Sequence, residues 1–122
     1  MNPRILVIED SKFLCYLLRK HLSELNMEVV GETARPREGL TLFDELKPDI
    51  TIVDYSLPTM NGLQLVEAIL SKDMYAYIVF LLPVRLREKS RELIGMGLKG
   101  VLLKPFHVEQ LQSLLIEVTV NL

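Results

Sequence analysis

The stretch ITIVDYSLPTMNGL, residues 50–63, decides the fold. Its opening run ITIV is apolar or β-branched at every position, then stops at an acidic residue, Asp54. The turn formers Ser56, Pro58, Asn61 and Gly62 follow, after which Leu63, Val66, Ile69 and Leu70 recur at helical spacing. A short strand without polar alternation must be covered on both faces, which is the condition of a parallel sheet sandwiched by helices.

Working outward, similar short runs stand at residues 5–8 (ILVI), 27–30 (MEVV), 77–81 (YIVFL) and 101–103 (VLL). The first and fourth are as apolar as ITIV; the second is half polar, which suits a sheet edge. Between them lie further stripes at helical spacing, each expected to face the sheet. They comprise Phe13, Leu14, Leu17, Leu18, His21, Leu22 and Leu25; then Leu40, Phe43 and Leu46; then Leu86, Ser90, Leu93 and Ile94; and last Val108, Leu111, Leu114, Leu115 and Val118. Pro36 suits a helix start, Pro48 ends the second helix, and Gly97 lies just past the fourth. Five strand–helix alternations with right-handed crossovers predict a (βα)5 doubly wound α/β fold, with parallel strands in the flavodoxin-like order 2-1-3-4-5. Residues 1–122 are expected to form one domain.

Of the 122 residues, 49% are hydrophobic and 25% charged, as in a globular chain. The net charge of −2, with signs interspersed, gives no electrostatic case for nucleic acid or an anionic membrane. IVFLLPV at 78–84 is too short to span a bilayer and the first residues lack a signal-peptide pattern, so a cytoplasmic location is expected. Cys15 has no partner for a disulfide within the chain and reads as a small buried hydrophobe.

In a sheet of this order, chemistry collects beyond the carboxyl ends of the strands. There the sequence places Glu9 and Asp10 after strand one, Asp54 after strand three and Lys104 after strand five. Converging carboxylates repel one another unless a cation joins them, and hard oxygen ligands favour Mg2+ or Mn2+. Capping of the helix near Ser11 would account for Glu9 and Asp10 taken alone. It leaves unexplained why Asp54 ends an apolar strand and Lys104 another.

From ILVIEDS (5–11) through IVDYSLPTMNGL (52–63) to GVLLKPF (100–106), the chain resembles the response-regulator receiver family of two-component signalling, over essentially its whole length. The resemblance implies that Asp54 takes a phosphoryl group from a histidine kinase or a histidine phosphotransfer protein. It implies that Glu9, Asp10, Asp54 and the Ser56 backbone carbonyl hold Mg2+ (or Mn2+), and that Lys104 pairs with the carboxylate and phosphate. Such a domain is a regulatory phosphoacceptor that assists its own phosphorylation and dephosphorylation, rather than an enzyme with a separate substrate. Its output is binding to a further protein, with a homodimer through the face of helix 4, strand 5 and helix 5 as one expected assembly. Pro58 and Gly62 are expected to shape the loop after strand three, the glycine through unusual backbone angles. Pro105 matches the family's cis Lys-Pro bond, although trans is the prior for any X-Pro pair.

Two positions depart from the family. Where it carries Thr or Ser at the end of strand four, this chain has Leu82, 28 residues after Asp54 (82 − 54) and 22 before Lys104 (104 − 82), followed by Pro83. Where many members carry Tyr or Phe in strand five, it has Val101. The expectation is phosphoryl chemistry intact at Asp54, with conformational coupling weak or differently routed. Against it stands a pseudo-receiver that binds partners without phosphorylation. A haloacid dehalogenase type of phosphatase also uses a strand-end Asp, but needs Asp-x-Asp after the first strand, which is absent. Arg85, Arg87, Lys89 and Arg91 read as a solvated helix face, and His21 and His107 as structural or surface residues.

Overall fold

In the computed structural model, which describes residues 2–122, the strands are β1 (Arg4–Ile8), β2 (Glu28–Thr33), β3 (Ile50–Asp54), β4 (Ile78–Pro83) and β5 (Gly100–Lys104). All pairings are parallel and the order is β2-β1-β3-β4-β5, so the half-polar second strand is indeed an edge. The helices are α1 (Lys12–Glu24), α2 (Pro36–Leu46), α3 (Gly62–Lys72), α4 (Ser90–Gly95) and α5 (Val108–Thr119).

Alternation along the strands divides the core into two layers. Ile5, Val7, Ile50, Ile52, Val79, Leu81 and Leu102 pack with Leu18 and Leu22 of α1 and Leu111 and Leu115 of α5. Leu6, Ile8, Val53, Ile78, Phe80 and Leu82 pack with Leu65, Val66 and Ile69 of α3 and with Leu93 of α4. These strand side chains are fully buried apart from Leu102 at 6%, which is why the runs carry no polar alternation. By the same parity Asp54 and Lys104, the last residues of β3 and β5, and Glu9, just beyond β1, continue the α1/α5 face at the carboxyl ends of the strands, whereas Leu82 belongs to the other.

Two helices differ from expectation. Helical spacing puts Phe13 on the sheet-facing stripe of α1, but it is 70% exposed. The phase of α1 is set by Cys15, Leu18 and Leu22, which are buried, and at 100° per residue Phe13 falls on the far side. The fourth helix is also shorter than its stripe. Residues Val84–Lys89 form a 3-10 turn with non-helical angles at Leu86 (φ −107, ψ 16), and α4 has just 6 residues. β4 runs on through Pro83, paired opposite Lys104, and the chain then turns tightly. Lys89 gives α4 no side-chain cap, Leu93 is buried and Ile94 is exposed. The exposed Arg85, Arg87, Lys89 and Arg91 lie on this segment, as the solvated-face reading requires.

Candidate functional site

Glu9 leaves β1 with its N–H on the Thr33 carbonyl (3.0 Å), which turns its side chain into the protein, where it has no exposure. One carboxylate oxygen, Oε2, accepts from the Ser11 N–H (2.9 Å) and the other, Oε1, from Lys104 Nζ (3.2 Å). Ser11 caps α1 through its own hydroxyl, which accepts from the Leu14 N–H (3.2 Å). Capping of the first turn is therefore the serine's work, and capping explains neither Glu9's burial nor its lysine partner.

Asp54 ends β3 at 1% exposure. Its Oδ1 accepts from Lys104 Nζ (3.1 Å), and its buried Oδ2 has no hydrogen-bond partner. Asp10 is exposed at the rim, and Glu9, Asp10 and Asp54 each offer an oxygen within 4.8 Å of the others. Burial pushes the Glu9 carboxyl up to about 7, helped by the nearby Asp54 charge. Burial also raises Asp54, against the pull of Lys104. For Lys104 burial works the other way, but the charges of Asp54 and Glu9 outweigh it and hold the ammonium above its ordinary pKa. An unpaired buried carboxylate oxygen costs free energy unless something meets it. The three carboxylates that Glu9, Asp10 and Asp54 bring within 4.8 Å of one another are hard oxygen donors that suit Mg2+ or Mn2+.

Ser56 is exposed, two residues beyond Asp54. The loop that carries it is tied back by the Gly62 N–H on the Tyr55 carbonyl (2.8 Å). Gly62 was expected to supply unusual backbone angles, and it does not: its φ is not positive. Its role is close approach. A Cβ there would lie 2.1 Å from the Asp54 carbonyl oxygen, so α3 can begin against the Asp54 backbone only through a residue without a side chain. In this loop the residue with positive φ is instead Thr59, at φ 63, a position that neither residue type nor spacing singles out. Lys104–Pro105 is cis. Cys15 is buried, and burial pushes its thiol up to about 12, far from reactive. His21 sits beside Glu24 (3.4 Å) and His107 heads α5; neither is part of the acidic cluster.

Residues 5–116 match the profile of the response regulator receiver domain. The chain belongs to this family. It is 32% identical over 106 residues to a chemotaxis protein CheY of Thermotoga maritima, covering 87% of this chain and 88% of that one. The same identity holds over 103 residues with protein CcdB of Bacillus subtilis, covering 84% and 86%. The receiver domain of AraT, a response regulator from Geobacillus stearothermophilus, superposes with a TM-score of 0.87 at 26% identity, over 99% of this chain and 95% of that one. CheY of Borrelia burgdorferi, solved in complex with CheX, BeF3 and Mg2+, shares the fold at a TM-score of 0.89 and 18% identity, over 95% and 88%.

This chain is thus a regulatory receiver domain with the chemotaxis-type receiver fold. Among its described residues no helix is long and apolar enough to cross a membrane. Its departures from the family are structural as well as sequential. Leu82 is fully buried beside Phe80 and Leu93, and Val101 packs half-buried against the same layer. Neither offers a polar atom beyond its backbone.

Proposed function

We propose that this receiver, acting as a single domain over residues 1–122 in the cytoplasm, accepts a phosphoryl group on Asp54 from a histidine kinase or histidine phosphotransfer protein and signals by binding a further protein. The α4, β5 and α5 face is the one proposed for a homodimer. The observation that carries the reading is the buried Asp54 carboxylate, with Oδ1 on Lys104 and Oδ2 unpaired beside two more carboxylates.

Oδ2 is the nucleophile: it forms the new bond to phosphorus while the bond from phosphorus to the donor's imidazole nitrogen breaks, the electron pair leaving with the nitrogen. Asp54 needs no general base, because it reacts as the carboxylate. Lys104, held by Asp54 and Glu9, supplies positive charge to the phosphoryl oxygens. Glu9, Asp10, Asp54 and the Ser56 carbonyl are the proposed ligands of Mg2+ or Mn2+. When bound, that ion supplies Lewis-acid neutralisation of the phosphoryl charge. Positioning and electrostatics thus do the chemistry, in keeping with a domain that assists its own phosphorylation and dephosphorylation.

Intact-mass measurement after incubation with acetyl phosphate and Mg2+ tests the assignment. One acid-labile phosphoryl group per chain is expected in the native protein, and none in Asp54→Asn or after chelation. A second reading, a pseudo-receiver that binds constitutively, draws on the burial of Leu82 in place of a hydroxyl. No acid-labile mass increase in the native chain would leave that reading standing alone.

Metal affinity should depend on pH through Glu9. Its carboxyl sits at about 7, so a proton competes with the cation as pH falls through neutrality. Calorimetric titration should show Mg2+ affinity about tenfold weaker at pH 6 than at pH 8. A flat profile across that range removes Glu9 from the ligand set.

A further inference from the structure

The chain from Tyr55 to Gly62 is pinned at both ends and bent sharply between. At one end the Tyr55 N–H donates to the Leu81 carbonyl (3.0 Å), and the Tyr55 ring meets buried Phe80 edge-on, with centroids 6.2 Å apart. At the other, the Gly62 N–H returns to Tyr55, and Asn61 with Gln64 forms a reciprocal cap on α3. In the middle the Met60 N–H donates to the Pro58 carbonyl (2.7 Å), closing a three-residue turn centred on Thr59 at φ 63. That is a γ-turn of the rare, strained hand.

Thr59 stands apart from the other non-glycine residues described with positive φ. Asn26 (φ 59) and Lys47 (φ 48) lie at the ends of α1 and α2, where left-handed geometry is an ordinary way to finish a helix. Thr59 is β-branched and sits in a loop, where its Cβ crowds the backbone. Strain of this kind persists only where the surroundings impose it. Here they do: both loop ends are tied, and the Pro58 ring fixes φ at the neighbouring residue. Any movement of the Ser56 carbonyl toward a cation therefore has to be taken up between Ser56 and Met60. At the end of β4 the side chain of Leu82 is fully buried among apolar groups and Val101 of β5 packs against them, so neither position presents a hydroxyl to the site.

We propose that the Ser56–Met60 loop is a strained element that relaxes at Thr59 when the acidic site is occupied, so that occupancy is reported through this loop and α3 rather than through β4 and α4. The inference rests on the reading of Glu9, Asp10 and Asp54 as a metal and phosphoryl site. A ligand favours the relaxed loop by the strain that relaxation releases, and removing the strain beforehand must weaken the ligand by the same factor.

The test is Mg2+ titration of the native chain, Thr59→Gly and Thr59→Asn, followed by calorimetry and by amide NMR shifts. Glycine takes positive φ without steric cost, so Thr59→Gly should fold at least as stably and bind Mg2+ about fivefold more weakly. Asparagine tolerates the same region and should shift affinity in the same direction by less. In the native protein, shifts induced by Mg2+ and beryllofluoride should be larger over residues 55–72 than over 84–96. Equal or tighter Mg2+ binding by Thr59→Gly, or native shifts concentrated over 84–96, overturns the proposal while leaving the site intact. A native chain that shows no Mg2+ response overturns the site reading itself, and this inference with it.

Discussion

Replacing Lys104 by methionine should cost the metal-free protein about 3 kcal/mol near neutral pH, because a buried ionic contact loses one partner and leaves the others uncompensated. The Lys104 side chain is 27% exposed, whereas those of Glu9 and Asp54 are 0% and 1% exposed. Solvent can therefore replace the lysine's interactions but hardly those of the carboxylates. Methionine keeps the unbranched length, so the loss reports charge more than packing. The pH dependence separates the two. Glu9 is raised from 4.5 to about 7 in the folded chain, and burial raises Asp54 as well. For both, the folded state holds protons more tightly than the unfolded, so their ionisation erodes stability as pH rises through that window. Lys104 is raised too, and as a base it contributes stability that is complete below 10.5 and lost only at higher pH. Without it the carboxyls should rise further. The deficit in Tm is therefore expected to be larger at pH 8 than at pH 5, with saturating Mg2+ recovering part of it. Equal deficits at both pH values would assign the loss to packing.

Gly62→Ala should be comparably damaging for a different reason. The new Cβ would meet the Asp54 carbonyl oxygen at 2.1 Å, the Asp54 carbonyl carbon at 2.8 Å and Tyr55 Cα at 2.9 Å. All three are backbone atoms, which yield far less readily than the end of a flexible side chain. Relief requires α3 to move away or the end of β3 to shift. We expect a loss of about 3 kcal/mol in urea unfolding, at the upper end for overpacking. Phosphoryl acceptance should fall even where the variant remains folded, since the displaced atoms belong to Asp54. Gly95→Ala serves as the control, because a Cβ there meets nothing within 4 Å. If both alanine variants unfold at the same urea concentration as the native chain, the close approach at Gly62 carries no energetic weight.

The sheet was legible because its cause is local: continuous apolar runs such as ITIV need cover on both faces, and polarity in the second run marks an edge. The acidic site was legible for a related reason, since a polar residue ending an apolar strand has one place to go. Helix phase was less secure. In α1 the apolar residues Phe13, Leu14, Cys15, Tyr16, Leu17 and Leu18 run consecutively, and such a run does not declare which side packs. Contacts with β-strands choose Cys15 and Leu18, leaving Phe13 in solvent. The extent of α4 was hidden because the stripe from Leu86 to Ile94 fits a regular helix, while the continuation of β4 through Pro83 depends on pairing with β5. Close approach at Gly62 and the γ-turn at Thr59 arise between segments, or from how a loop is pinned. Neither composition nor spacing encodes them.

The division of labour at the head of α1 bears on which residues can be changed. Ser11 secures the helix start with its own hydroxyl, so the exposed Asp10 beside it is not needed to hold the fold. Glu9 and Asp54 are buried against Lys104, so a change at either leaves an uncompensated group in the interior. Under the proposed cation site, Asp10 is then the position at which substitution would retune cation affinity in small steps without a compensating change in the core.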